Sequence, residues 1–328
     1  MKRTYEDFDE FSDAITGLSG RLLPTARPRA PWWMSRARVG EITVHHLQLG
    51  ARVSFAGHAE PDTVFIALPL NEPPGMFVNG QPLGDRSMFV LPPGQSVVLA
   101  ARPATQCIGI VLPASESGID VALSQRRSVF EAAHALCEPR ALERLRMLAR
   151  QVSRSNPDMT STDLASRMYS EIVEAVRAAL ELCEAPVEKR FGRPQYPRSD
   201  VIARCLSLVQ SSARQPLFIA DLCGVAGTSE RTLRNIFREY FGVGPQCLLK
   251  VRTLGEIRAA LLQARSDEQT VRQVVRQFGV RDFSLFARHY KALFDESPST
   301  TLRRPARRQP RPIPDSWLNY VSRVFADA

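Results

Sequence analysis

The chain has 328 residues and a net charge of +9 at pH 7, and 44% of its residues are hydrophobic. This length accommodates two domains, and no apolar run reaches the roughly 20 residues of a membrane-spanning helix. The six cysteines form no CxxC pair, which argues against a disulfide framework or a zinc site and favours reduced thiols in a cytoplasmic protein. The first residues, MKRTYEDFDEF, lack an apolar segment, so we expect no secretory signal peptide.

The positive charge is concentrated at the C-terminal end. Residues 199–304 contain 16 basic and 10 acidic residues, and residues 305–312 add three arginines and no acid. The remaining residues carry 24 basic and 24 acidic groups and are neutral as a set. This asymmetry favours a polyanionic partner for the C-terminal part, although an inert basic surface has the same charge.

The N-terminal segment predicts a short amphipathic helix over Thr4–Leu18. Thr4 and Asp7 are spaced like a capping box, and four apolar residues share one face of such a helix: Phe8, Phe11, Ile15 and Leu18. A loop rich in proline and arginine, LLPTARPRAPWW, follows.

Residues from Gly40 to about Leu112 predict an antiparallel β-sandwich or small barrel. Short apolar runs such as EITVHHLQL, TVFIALPL and CIGIVLP alternate with Gly, Pro and Asn turns. The dipeptide Asn79-Gly80 between apolar runs predicts a hairpin turn.

Helical periodicity then replaces the strand pattern over about residues 139–184, where two helices separated by Asn156-Pro157 predict a helical hairpin. The first apolar stripe is Leu142, Leu145, Leu148, Ala149 and Val152. The second is Leu164, Met168, Ile172, Val176, Leu180 and Cys183. The stripes either cover the sheet or pair with a second copy of the chain. Residues 1–184 thus form one predicted domain, and the proline-containing segment 185–198 is its linker to the next.

The C-terminal domain, residues 199–304, predicts two helix-turn-helix units. In the first, Ser199 caps a helix, Pro216 opens a second, Gly227 makes a turn and Ser229 caps a third. Exposed positions of that third helix carry Arg231, Arg234, Asn235 and Arg238, whereas its inner face carries Leu233, Ile236, Phe237 and Tyr240.

The second unit repeats this plan 53 residues later. Val271, Val274 and Val275 face inward on one helix, Gly279 makes the turn and Asp282 caps the next helix. The inner stripe of that helix is Phe283, Phe286, Tyr290 and Phe294, and the residues outside or at its border are Arg281, Ser284, Arg288 and Lys291.

A continuous helix over residues 245–264 joins the two units. Twenty helical residues span about 30 Å, close to the roughly 34 Å repeat of B-DNA, so two reading helices could enter successive major grooves. Arg231, Arg234, Asn235, Ser284 and Arg288 are candidates for base edges or phosphates, because Arg bonds guanine and Asn bonds adenine in a bidentate manner. Arg238, Arg281 and Lys291 are candidates for phosphate contacts.

Residues 199–304 resemble the DNA-binding domain of the AraC/XylS family of bacterial transcription regulators. The residues that carry the resemblance lie in both units: Ala226-Gly227-Thr228-Ser229, Leu233, Phe237, Gly242, Pro245, Val271, Gly279, Asp282, Ser284, Phe286, Arg288, Tyr290-Lys291, Phe294 and Ser297-Pro298. Among the departures, Asp295 stands where the family usually has glycine.

The resemblance implies an α+β multidomain protein, with a cupin-like sensor and dimerisation domain before the all-α DNA-binding domain. It implies a sequence-specific regulator, more often an activator, that binds double-stranded DNA and RNA polymerase and is not an enzyme. A homodimer and a small-molecule effector are expected. An effector-independent dimeric regulator, or a cupin-type enzyme with an accessory DNA-binding module, are the alternatives.

Effector-binding candidates in the β-rich domain are aromatic or imidazole side chains: Trp32, His46, Phe65, Phe77 and Phe89. Each is more often an ordinary core residue than a ligand contact. We predict neither a metal site nor another cofactor, because neighbouring strand residues His45 and His46 point to opposite faces and no HxH motif is present. Beyond residue 304, a basic, proline-rich tail precedes a short amphipathic helix containing Trp317 and Tyr320 within residues 305–328.

Overall fold

The computed structural model describes residues 2–70, 75–116, 118–125, 134–154, 158–159, 163–184, 198–211, 218–264 and 268–304. The predictions for Asn156-Pro157, most of the linker, Pro216 and the tail helix with Trp317 lie outside these residues. No helix among the described residues is long and apolar enough to span a membrane.

The N-terminal domain contains two sheets. Their strands are β1 (Lys2–Tyr5), β2 (Leu18–Pro24), β3 (Trp32–Val39), β4 (Ile42–Gln48), β5 (Val53–Ala59), β6 (Thr63–Pro69), β7 (Met76–Val78), β8 (Gln81–Pro82), β9 (Ser87–Leu91), β10 (Ser96–Ala101), β11 (Gln106–Pro113), β12 (His134–Leu136) and β13 (Asp158–Met159). The first sheet has the order β1-β3-β4-β11-β6-β9-β12, with β13 parallel to β3, and the second has the order β2-β5-β10-β7-β8. The remaining pairings between these strands are antiparallel, as predicted.

Helices pack on the outer faces of both sheets, and the first helix packs against the core between the sheets. They are α1 (Phe8–Asp13), α2 (Ile119–Gln125), α3 (Pro139–Arg154), α4 (Asp163–Glu181), α5 (Arg198–Ser211), α6 (Ile219–Ala226), α7 (Glu230–Phe241), α8 (Pro245–Gln263), α9 (Val271–Arg276), α10 (Phe283–Phe294) and α11 (Pro298–Leu302). The predicted α+β organisation is therefore confirmed, with strands in the N-terminal part and helices in the C-terminal part.

The hydrophobic cores show how the layers stack. One core lies between the inner faces of the two sheets and contains Phe65 and Phe89. A second packs α2, α3 and α4 on the outer face of the first sheet. A third joins Leu23, Ala56 and Val98 of the second sheet to the C-terminal helices. The second sheet is thus covered on both faces, once by the first sheet and once by the C-terminal domain.

The N-terminal segment differs from the predicted single helix over Thr4–Leu18. Lys2–Tyr5 pair with β3 as strand β1, Asp7 caps the short helix α1, and Leu18 begins β2. The Asp7 side chain accepts a hydrogen bond from the Asp9 amide at 2.7 Å. Pairing with a strand that lies far along the chain overrides the local helical pattern here.

The predicted β-hairpin turn is confirmed. Asn79 and Gly80 have φ of 46° and 83°, as the two-residue turn between β7 and β8 requires.

The two helices of the predicted helical hairpin differ in how well the prediction holds. The apolar stripe predicted for the first helix, α3, is buried. On α4 the prediction for Leu164 is wrong, since 59% of this residue is exposed. Residues four apart are not aligned along a helix that has 3.6 residues per turn, so a row of such residues rotates around the helix axis. Leu164, at the start of the row, therefore lies at the edge of the buried stripe.

Candidate nucleic-acid interface

The first helix-turn-helix unit consists of α6, a turn at Gly227 and α7. Gly227 has φ of 62°, a left-handed conformation that glycine adopts without the steric penalty of a side chain. Ser229 then caps α7 by accepting a hydrogen bond from the Thr232 amide at 3.3 Å. Two local signals therefore set the direction in which α7 leaves the turn.

The outer face of α7 is polar and positively charged. Its inner face is buried through Leu233, Ile236, Phe237 and Phe241. The side chains predicted to contact DNA are all exposed: Arg231, Arg234, Asn235 and Arg238. Arg234 forms an ion pair with Glu230 one turn earlier on the same helix. Because this pair lies on the surface, Arg234 can exchange Glu230 for another anion at little cost.

The second unit has the same construction. The capping box of Thr270 and Gln273 starts α9, Gly279 has φ of 73° in the turn, and Asp282 accepts from the Leu285 amide at 2.8 Å to start α10. Phe286, Tyr290 and Leu293 are buried beneath α10. The predicted DNA contacts of this unit are exposed: Arg281, Ser284, Arg288 and Lys291.

The outer face of α10 also carries a residue that the sequence analysis did not single out. Leu285 lies in the first turn beside Ser284, and 39% of this residue is exposed. Residues in the first turn of a recognition helix lie nearest the base edges, where an apolar side chain can contact a thymine methyl group. In the sequence, Leu285 could have been recognised as a surface candidate because it falls outside the apolar stripe of Phe286, Tyr290 and Leu293.

The connecting helix α8 is continuous over 19 residues, as predicted. It is buried on several sides because it lies between the two units and the second sheet. At Gly255 the backbone approaches β2 so closely that an added Cβ would lie 2.9 Å from Leu23 Cδ1. The helix that spaces the two reading helices is therefore packed against the N-terminal domain.

The effector candidates do not form a single cluster. Trp32, Phe65 and Phe89 belong to the core between the sheets, where the rings of Phe65 and Phe89 meet edge to face at 6.0 Å. His46 lies on the opposite face of β4 against Trp33, with ring centroids 4.9 Å apart. Phe77 lies on β7 between the inward residues Met76 and Val78, so it points away from this core.

The inward-facing histidine of β4 is His45, which is completely buried. Thr16 Oγ1 lies 2.9 Å from its Nε2, and its Nδ1 has no hydrogen-bond partner among the described residues. Burial and, to a smaller extent, the charge of Arg36 lower the pKa of His45 to about 4. Burial, followed by the nearby charges of Arg150, Arg154 and Lys2, also lowers the pKa of His46. The opposite orientations predicted for the two histidines are confirmed.

In the described ranges, no three His, Cys, Asp or Glu side chains are grouped as metal ligands. The described cysteines are free thiols, of which Cys107, Cys137, Cys183 and Cys205 are buried. Burial raises the pKa of Cys107 to about 12. Thiols of this kind are protonated and serve as small core side chains.

Comparison with known proteins agrees with this geometry. Residues 222–304 match a family model described as a helix-turn-helix domain. The probable thc operon regulatory protein of Rhodococcus erythropolis is 26% identical over 145 residues, which are 44% of this chain and 42% of that protein. The XylDLEGF operon transcriptional activator of Pseudomonas putida is 27% identical over 112 residues, covering 34% of this chain and 33% of that protein. The matches thus span less than half the length of these relatives.

Among solved structures, the AraC-like transcriptional activator CuxR is similar to this chain with 14% sequence identity and a TM-score of 0.40. The alignment covers 84% of this chain and 98% of that chain.

Proposed function

We propose that this chain is a sequence-specific DNA-binding transcription regulator of the AraC/XylS type, because residues 222–304 match a helix-turn-helix family model. One observation carries the proposal. Two helices, each capped after a glycine turn, present arginine-bearing outer faces, and one continuous helix joins their units. A single such unit occurs in many proteins that do not bind DNA, whereas two in tandem are typical of a DNA reader.

The two reading helices divide the DNA contacts. We propose that Arg231, Arg234 and Asn235 on α7 contact base edges of one block of sequence, and that Ser284 and Arg288 on α10 contact those of a second block. Arg238, Arg281 and Lys291 contact phosphates, which position the protein without reading the sequence. Because α8 has 19 residues, it is about 28 Å long, which suits two blocks about one helical turn apart.

Selection of bound sequences from a random DNA pool, with the purified full-length chain at near-physiological salt, tests this proposal. We expect a motif with two short blocks about one helical turn apart. Binding that selects no motif and disappears as the salt concentration rises would contradict it, because purely electrostatic binding is independent of sequence.

The Arg288→Ala substitution tests the role of the second helix. If Arg288 reads a base, affinity for the selected site falls by about 1–3 kcal/mol and discrimination is lost in one block only. Arg281→Ala is the matched control, since it removes the same charge from the same unit and is expected to weaken binding to all sequences equally. Competition binding against sites mutated block by block distinguishes the two patterns. A uniform loss for Arg288→Ala would make it a phosphate contact.

We propose that the N-terminal domain supports this reader, either as an effector-responsive module or as an effector-independent dimerisation domain. The burial of Trp32, Phe65 and Phe89 in the core between the sheets favours the second role. A thermal-shift screen with small metabolites tests the choice, because a ligand that binds the folded state raises its apparent stability. A ligand that raises the midpoint in proportion to its concentration would favour the effector-responsive role.

We further propose that the chain acts in the cytoplasm as a homodimer and contacts RNA polymerase, and that it activates transcription, as the related Pseudomonas operon activator does. We assign the chain no catalytic activity. The symmetry of the selected motif and sedimentation equilibrium test the dimer, and transcription in vitro with and without the protein tests activation.

A further inference from the structure

A buried ionic cluster joins the N-terminal segment to the second helix-turn-helix unit. Its central residue is Arg258 on α8, which is 3% exposed. The Arg258 guanidinium donates to the Asp9 carboxylate, lies 3.4 Å from Asp7 Oδ2 and lies 2.9 Å from Glu296 Oε1. Arg304 completes the cluster by pairing with Asp7 and, at 2.7 Å, with Glu296.

Two aromatic rings cover this cluster. Phe8 and Phe294 are stacked, with ring centroids 6.0 Å apart and an angle of 14° between their planes. The Cζ atom of Arg258 is 4.9 Å from the centroid of Phe8 and 5.1 Å from that of Phe294. Phe8 belongs to α1 and Phe294 is the last residue of α10, so the contact extends from the N-terminal segment to the end of the second reading helix.

The charges in the cluster nearly balance, since three carboxylates face two guanidinium groups. Burial disfavours the charged form of Arg258, but the neighbouring Asp9, Tyr290 and Glu296 raise its pKa. A buried ion pair contributes little net stability because desolvation offsets the attraction, whereas loss of one partner leaves an uncompensated buried charge. Such a cluster therefore specifies one arrangement of the groups that it joins.

We propose that Arg258 is a positioning residue that, through Asp7 and Asp9 on one side and Glu296 on the other, fixes α10 at the spacing from α7 that two-block DNA requires. This inference rests on the proposed DNA-binding function. The reading face of α10 is separate from the cluster, because Ser284 and Arg288 are exposed whereas the cluster lies at the C-terminal end of the helix. Loss of the cluster should therefore impair simultaneous binding of both blocks and leave each block's own contacts in place.

The test uses the full-length chain, with DNA carrying both selected blocks and DNA carrying the first block alone. The main variant is Asp9→Asn, which lies 249 residues from Arg258 in sequence and outside the DNA-binding domain. We expect the ratio of two-block to one-block affinity to fall about tenfold, with one-block affinity unchanged. Arg258→Met should lower the ratio by a similar or larger factor, and the double variant should add little beyond the larger single effect, because both remove one interaction.

Glu10→Gln is the matched control. Glu10 lies beside Asp9 on α1, and its carboxylate pairs with Arg3 at the surface at 3.4 Å, so the substitution removes the same charge from a surface ion pair. It should leave the affinity ratio within about twofold of the unsubstituted chain. An unchanged ratio in Asp9→Asn, or an equal loss on both DNAs, would overturn the positioning role. Failure of the unsubstituted chain to prefer two-block DNA would instead overturn the proposed function.

Discussion

The two helix-turn-helix units have the same plan but are attached to the N-terminal domain by different interactions. The first unit rests on the second sheet through apolar contacts, and the Tyr240 ring lies over the hairpin turn so closely that an added Cβ on Gly80 would come within 2.8 Å of it. The second unit is held by the ionic cluster around Arg258. Apolar contact tolerates small shifts and changes in salt, whereas an ionic cluster requires defined partners.

The ends of the two reading helices differ in a related way. Helix α7 ends at Gly242 with φ of 73°, and α10 ends at Asp295 with φ of 59°. A left-handed conformation is unfavourable for most residues other than glycine, although aspartate and asparagine adopt it more readily than the rest. The second unit thus contains a non-glycine residue in the left-handed region next to the cluster, whereas the described residues of the first unit contain none. The contrast suggests that the second unit depends more on its surroundings for its position.

The largest expected effect on stability comes from the apolar contact between the N-terminal domain and α8. Leu23 is 2% exposed and packs against Gly255 of α8, so Leu23→Ala should lower the free energy of unfolding by about 4 kcal/mol. Urea denaturation at low and high salt measures it, and the loss should be the same in both. Val121→Ala, at a residue that is 48% exposed, is the control and should have a small effect. A loss that depends strongly on salt would show that the first unit also relies on charges.

Acid should weaken the N-terminal domain, on whose second sheet the first unit rests. The folded-state pKa of His45, about 4, lies below its value of 6.5 in an unfolded chain, so the unfolded state binds the proton more readily between these values. The stability that neutral His45 contributes is complete above pH 6.5 and is lost as the pH falls towards 4, by about 3 kcal/mol.

Urea denaturation across this pH range measures the effect of His45. In His45→Gln this part of the pH dependence should disappear. His289→Gln, on the second reading helix, is the control and should keep it. An unchanged pH dependence in His45→Gln would show that His45 is accessible to protons in the folded protein.

The smallest expected effect on stability comes from the left-handed residue at the end of α10. Asp295→Gly should raise the stability by about 0.5 kcal/mol, because glycine adopts the left-handed conformation freely but gains entropy in the unfolded chain. The substitution also removes a surface ion pair with Arg27 at 2.7 Å, which Arg27→Ala removes alone and which should contribute little. Thermal denaturation of both variants measures the balance. Destabilisation by Asp295→Gly would mean that the aspartate has a favourable role at this position.

The sequence predicts the parts of the molecule that local chemistry determines. Gly227, Ser229, Gly279 and Asp282 act on residues within one turn of themselves, so their turns and caps could be recognised and are confirmed. The exposed positions of the reading helices follow from the buried stripes, although direct contact with DNA remains a prediction.

Contacts between distant segments could not be predicted in this way. Lys2–Tyr5 pair with β3. The segment predicted as a single helix therefore contains a strand followed by a shorter helix. Arg258 sits on a helix whose pattern shows no unusual feature, and its carboxylate partners Asp7 and Asp9 lie about 250 residues earlier. The burial of Leu164 was predicted wrongly, because four-residue spacing alone does not determine which residues at the edge of the stripe face the sheet.

The great sequence separation within the Arg258 cluster has a consequence for the order of folding. Asp7 and Asp9 are synthesised first, whereas Glu296 and Arg304 follow almost 300 residues later, so the cluster can close only after both domains are translated. Joining such distant segments has a high loop-closure entropy until intervening structure has formed. Closure of the cluster is therefore a late event in folding, and the acidic N-terminal segment is synthesised long before its arginine partners.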